Sequence, residues 1–184
     1  MGLFDLLSRL FQGDRGHDVN ELSRRLDVRV EELRALRVAY HAFTVPKKSG
    51  GERTIHAPDP PLKALQRRIL RRLLGRLRSH PAATGFERGH SIVTNAMPHA
   101  GKDVVLRMDV KDFFPTTRAK RVEAWFRRIG WNREAAALLT KLCTWQGGLP
   151  QGAPTSPRLS NLINYALDAR IEALAHRLGA AYSR

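Results

Sequence analysis

The stretch Leu106-Arg-Met-Asp-Val-Lys-Asp-Phe-Phe-Pro115 constrains this chain more than any other. Val104 to Met108 is a short apolar run rich in β-branched residues, which predicts a strand. Asp109 falls where that strand stops. A carboxylate at the end of a buried strand is costly unless it is paired or holds a metal. Phe113, Phe114 and the breaker Pro115 follow at once, so Asp109 is predicted to ride on a rigid, quickly terminated element, as metal-binding carboxylates do. Asp also favours turns and helix caps, and the stretch alone fits equally well with Asp109 and Asp112 capping a helix after Pro115.

A second stretch, Gly147-Gly-Leu-Pro-Gln-Gly-Ala-Pro-Thr-Ser-Pro-Arg-Leu-Ser-Asn161, follows some forty residues later. Gly147, Gly148 and Gly152 let a backbone approach a ligand closely. Ser156-Pro157 reads as N-cap and first residue of a long helix to about Leu178. Taken with Asp-x-x-x-Phe-Phe upstream, Leu-Pro-Gln-Gly-x-x-x-Ser-Pro resembles the reverse transcriptase family, and within it the bacterial retron-type branch. The resemblance runs from roughly Leu33 to Arg184.

The charge balance agrees with a polyanionic partner. There are 32 Lys+Arg against 17 Asp+Glu, a formal net charge of +15, which implies nucleic acid first and an acidic membrane surface second. The single cysteine, Cys143, excludes an intramolecular disulfide and a Cys-based zinc site, and suits a reducing cytosol, so a cytoplasmic location is expected. The start, Met1 to Phe11, is short and amphipathic. It carries no basic n-region and no long apolar run, so the reading is a small docking helix rather than a signal peptide, a lipidated Gly2 or a membrane span.

Along the chain, Asp18 is a plausible N-cap for a helix to about Leu26, and a second helix runs from about Val30 to His41. The pair also resembles a helix-turn-helix, but it lacks a basic second helix to face phosphates, so it is read as packing. Phe43 to His56 reads as a β-hairpin turning at Ser49-Gly50-Gly51, with Lys47, Lys48 and Arg53 projecting from it. Pro60-Pro61 opens a helix whose apolar stripe is Leu62, Leu65, Ile69, Leu73 and Leu77. Arg67, Arg68, Arg71, Arg72, Arg76 and Arg78 crowd its other face. With no compensating acid, these like charges repel at i, i+4 unless they meet phosphates, so a nucleic-acid contact is preferred to a merely solvated face. Two more amphipathic helices are expected over Arg118 to Ile129 and, capped by Asn132, to about Leu142. His90 and His99 have no further ligand at zinc spacing.

The resemblance implies more than the residues do by themselves. It implies an α+β fold, the fingers and first half of a right-hand palm, with antiparallel strands backed by helices. Residues 1–42 are then an N-terminal helical packing element, 43–100 fingers and 101–184 an incomplete palm. The implied activity is magnesium-dependent synthesis of DNA on an RNA template from deoxynucleoside triphosphates. Asp109 is the catalytic carboxylate and, with the Val110 carbonyl, a ligand of a two-metal site. Lys47, Arg53, Asp112, Phe114, Gln151 and Gly152 surround the nucleotide, Phe114 as the steric gate against a ribose 2′-hydroxyl. Asn95-Ala-x-x-His99 looks like a motif that retron enzymes carry, and it argues against a group II intron maturase. Arg67, Arg68, Arg71, Arg72, Asn95 and His99 are assigned to nucleic acid.

In the family, two further carboxylates come from a Tyr-x-Asp-Asp turn, which the strand Gly179 to Arg184 leads toward and this sequence does not contain. The 184 residues alone are therefore expected not to polymerise DNA, and to be a truncated or split enzyme completed by a C-terminal polymerase half. Two other classes fit. One is a non-catalytic nucleic-acid-binding module derived from such an enzyme. The other is a scaffold contacting an effector protein in an anti-phage defence complex.

Overall fold

A computed structural model of the chain describes residues 16–47 and 50–184. The N-terminal docking helix, Lys48 and Ser49 lie outside the described residues. The elements are α1 (Val19–Leu26), α2 (Val30–Ala35), β1 (Tyr40–Pro46), β2 (Glu52–Pro58), α3 (Pro60–Ile69), α4 (Ile92–Ala96), α5 (Phe113–Thr116), α6 (Ala119–Arg128), α7 (Arg133–Cys143), α8 (Ser156–Ile163) and α9 (Tyr165–Arg177). This is an α+β arrangement with one antiparallel pair of strands among the described residues. No helix there is long and apolar enough to cross a membrane.

Local chemistry explains most boundaries. The Asp18 carboxylate accepts from Glu21 N at 2.8 Å and opens α1; Asn132 Oδ1 accepts from Ala135 N at 2.9 Å and opens α7. β1 and β2 pair from Tyr40↔Pro58 to Pro46↔Glu52, and Gly50 and Gly51 carry the positive φ (87° and 79°) that the turn requires. The face of α3 that bears Leu62, Leu65 and Ile69 is buried in a core it shares with Leu22, Leu26, Leu33, Phe126, Leu139, Leu142 and Leu159. Each such leucine contributes about 1.5–3 kcal/mol by leaving water.

Five expectations need correction. The helix predicted to reach His41 stops at Ala35, because Tyr40 is recruited into β1 by its pairing with Pro58. The helix from Pro60 changes to a π-helical turn over Leu70–Leu74. The long helix from Ser156 is interrupted at Asn164, whose side-chain amide donates to Ser160 O at 2.9 Å. Most consequential, Val104 to Met108 is not a strand. Val104, Leu106 and Met108 are 84%, 79% and 74% exposed. A strand exists only through a ladder of inter-strand hydrogen bonds, and none of the described residues pairs with this run. Gly179 to Arg184 likewise forms no strand, although Arg184 N donates to Ala82 O and Thr84 N to Arg184 O, both at 2.7 Å.

Arg158 of α8 fastens the loop after α3. Its guanidinium donates to Leu74 O, Leu77 O and the Glu87 carboxylate. Burial alone would raise the Glu87 pKa, but hydrogen bonds from Asn161, Ser79 and Arg158 outweigh it and hold the carboxyl below the ordinary value of 4.5. A depressed carboxylate contributes stability that is present above its unfolded pKa and is lost as pH falls through the folded one. Thermal unfolding followed by circular dichroism is therefore expected to show the Tm falling below about pH 4.5, with a shallower fall in Glu87→Gln. Parallel profiles would remove Glu87 from the acid response.

Candidate functional site

Three segments distant in sequence meet at one cavity of about 640 Å³, a volume usual for small-molecule sites. The hairpin supplies Lys47, Glu52, Arg53, Thr54 and His56. The turn after the exposed run supplies Asp109, Val110, Asp112, Phe113 and Phe114, and the Pro-Gln-Gly loop supplies Trp145, Leu149, Pro150 and Gln151.

The turn is set by Asp112, whose backbone is left-handed (φ 51°), so the chain reverses there and α5 begins with the two phenylalanines. Asp112 occupies the N-cap position of α5, and its carbonyl accepts from Thr116 N at 2.9 Å, but its side chain makes no capping hydrogen bond. Asp109 is exposed and has no hydrogen bond or ion pair among the described residues. The buried strand end expected for it is absent, for the reason given above.

The Pro-Gln-Gly loop reaches both other segments through glycines. Gln146 (φ 48°) and Gly147 (φ 80°) make a tight turn, closed by Trp145 N to Gly148 O at 2.9 Å. Gly147 O accepts from Ala119 N at 2.9 Å and Leu149 N donates to Thr117 O at 3.2 Å, so the loop lies alongside the segment after α5. A Cβ on Gly148 would stand 2.4 Å from Pro115 O. On the other side, Gln151 O accepts from His56 N at 2.7 Å, which docks the loop on the free edge of β2. There Gly152 (φ 124°) leaves no room for a side chain, since a Cβ would stand 2.7 Å from His56 O.

The cavity thus brings together Lys47, Arg53, Asp109, Val110, Asp112, Phe114 and Gln151 from the sequence-predicted set, with Gly152 beside it. It leaves the rest apart. Arg68 donates to Asp27 O at 2.7 Å and Arg72 lies 3.7 Å from the Asp27 carboxylate, so both hold the C-terminal end of α1, whose carbonyls lack helical partners. Arg67 and Arg71 are exposed. The Asn95 side chain accepts from Thr84 Oγ1 at 2.9 Å, and His99 Nε2 is 2.8 Å from Ser183 Oγ, so this pair ties the loop to the last residues of the chain.

Sequence reasoning missed Phe86, Arg118 and His56, which also line the cavity. For Arg118 a signal existed, a cation three residues after Phe-Phe-Pro; for Phe86 the signal was its place in Gly85-Phe-x-x-Gly-x-Ser-Ile92, which looks like a family block, while only the tertiary path of its loop carries it to Phe114, ring centroids 6.3 Å apart.

Chemically the cavity combines three cations, Lys47, Arg53 and Arg118, with carboxylates and aromatic rings, a set that fits a phosphorylated, ring-bearing ligand. Among the described residues no group of three or more His, Cys, Asp or Glu could hold a metal ion. Asp109 and Asp112 therefore do not make a metal centre by themselves.

Comparison with known proteins bears on the family to which the chain belongs. The family model for reverse transcriptase (RNA-dependent DNA polymerase) matches residues 45–179. The chain is 41% identical over 174 residues to the Retron Ec86 reverse transcriptase of Escherichia coli, covering 91% of this chain and 54% of that one. It is 43% identical over 163 residues to the Retron Mx162 reverse transcriptase of Myxococcus xanthus, covering 79% of this chain and 34% of that one. The Retron Mx65 reverse transcriptase of the same organism is also 43% identical, with 38% of its length covered. The chain thus spans about half or less of these relatives. The match over most of its own length shows that the chain belongs to the reverse transcriptase family, and to its retron type.

Proposed function

We propose that this chain is the fingers and first part of the palm of a retron-type RNA-directed DNA polymerase, and that the cavity receives a deoxynucleoside triphosphate paired to an RNA template. One observation carries the reading: a single cavity joins Asp109 and Phe114, the hairpin cations Lys47 and Arg53, and Gln151. Lys47 and Arg53 neutralise the triphosphate, as charge-assisted hydrogen bonds to phosphate oxygens do. Gln151, on a loop pinned to β2 and to the segment after Pro115, meets the nascent base pair. Phe114 stands against the sugar, where a ring excludes a 2′-hydroxyl.

Reverse transcriptases as a family imply dependence on a divalent metal. Asp109 and the Val110 carbonyl contribute part of a Mg²⁺ ligand set in this reading, the remainder coming from chain that these 184 residues do not include. RNA binding rests on the net charge of +15, with exposed Arg67 and Arg71 as phosphate contacts.

The test is primer extension on an RNA template by the chain completed to the length of its relatives, with Phe114→Ala alongside. Template-dependent extension is expected, with discrimination against ribonucleotides falling roughly 10-fold or more in the variant. Steeply salt-dependent RNA binding without any extension would replace the polymerase reading with that of a binding module.

A further inference from the structure

An ion pair between a buried carboxylate and a half-buried guanidinium stands behind the aromatic wall of the cavity. Asp168, in the first turn of α9, is fully buried. Its carboxylate accepts from Arg184 Nε at 2.8 Å, from Arg184 Nη2 at 2.6 Å and from the Tyr182 hydroxyl at 2.8 Å. Arg184 Nη1 also donates to Asn161 Oδ1 at 3.2 Å. The main chain of Arg184 is anchored to Ala82 and Thr84. The guanidinium is thus fixed along its edges, and what remains to it is a flat face. The Arg184 Cζ lies over the Phe113 ring, 5.3 Å from the centroid. Phe113 in turn meets Phe114 edge-on, centroids 5.6 Å apart.

We propose that the Asp168–Arg184 pair is a positioning device for Phe113 and Phe114, and through them for selection of the nucleotide's sugar. The inference rests on the nucleotide reading of the cavity. Desolvation offsets most of what a buried ion pair gains, so such a pair is weak as a source of stability. A two-bond fork between guanidinium and carboxylate does fix orientation, and an oriented guanidinium attracts a ring face. The rings need such support. α5 is four residues long, begins at a left-handed aspartate, and leaves Phe113 and Phe114 half-buried against the cavity. A gate works by excluding one hydroxyl group, so a small rotation of Phe114 changes which sugars fit. Asp168 acts through Arg184, and Arg184 through Phe113; neither lines the cavity.

The experiment compares kcat/KM for deoxyribonucleotides and ribonucleotides in the completed polymerase. Arg184→Lys keeps a cation for Asp168 but loses the flat face and the fork. Phe113→Leu keeps an apolar side chain but loses the ring. Each is expected to lower the preference for deoxyribonucleotides roughly five-fold or more, chiefly by raising kcat/KM for ribonucleotides. The double variant is expected to fall no further than the lower single, since both remove one contact. An unchanged preference in Arg184→Lys, additive losses in the double variant, or equal loss of rate with both nucleotides (the mark of a merely structural pair) would each overturn the proposal. Phe114→Ala separates the two levels. If it changes the preference and Arg184→Lys does not, only the positioning role fails; if it changes nothing, the nucleotide reading fails and takes this inference with it.

Discussion

Asp109→Asn is expected to lower DNA synthesis by the completed polymerase on the order of 10³-fold, about 4 kcal/mol of transition-state stabilisation, with Tm unmoved. The two halves of that expectation have separate grounds. Asp109 is exposed and has no partner among the described residues, so its charge does nothing for folding that an amide would not do. Yet it faces a cavity with Lys47, Arg53 and Arg118 on the walls, and a bound triphosphate would bring further negative charge beside it. A carboxylate with no partner among the described residues, in such a place, is free to meet the ligand of the proposed reading. The asparagine is nearly isosteric and removes the charge while preserving the turn, so lost synthesis cannot be assigned to lost structure. Primer extension measures the rate, and thermal unfolding measures the fold. A variant that retained more than about a tenth of the rate would remove Asp109 from the reaction.

Gly152→Ala is expected to destabilise the fold by about 2–4 kcal/mol, a fall in Tm of about 5–10 °C for a chain of this size. Two terms add. The φ of 124° lies where an L-residue is strained, and the new Cβ would stand 2.7 Å from His56 O and 2.8 Å from Ile55 Cγ2. His56 cannot yield easily, because β2 is held by its ladder with β1 and by the bond from His56 N to Gln151 O. Loss of that dock would also withdraw Gln151 from the cavity. Gly50→Ala is the matched comparison. Its φ of 87° is strained as well, but nothing lies within 4 Å, so about 1 kcal/mol is expected. Equal effects at the two positions, measured by thermal unfolding, would show that backbone strain alone matters and that the loop is not wedged against β2.

How much of this was legible varies by element, and the division is physical. α1, the hairpin, α6 and α7 were readable because capping, turn glycines and amphipathic spacing act within a few residues. The reverse transcriptase resemblance was readable because Asp109, Phe114 and Gln151 sit in compact motifs. The end of the second helix was not, since Tyr40 joins a strand whose partner Pro58 is eighteen positions away. Val104 to Met108 has the composition of a strand and pairs with none of the described residues, because composition supplies the side chains of a strand but never its neighbour.

By itself, then, the sequence determined which residues were candidates for the chemistry: a carboxylate and a phenyl ring five positions apart, cations on a hairpin, and a glutamine followed by glycine. Tertiary structure alone decided that these form one cavity, that Arg68 and Arg72 face α1, and that Asp168 and Arg184 stand behind Phe113. Motifs are local in sequence and survive without their surroundings. Distances between motifs are set by packing, here by two glycines thin enough to let one loop touch a turn on one side and a strand on the other.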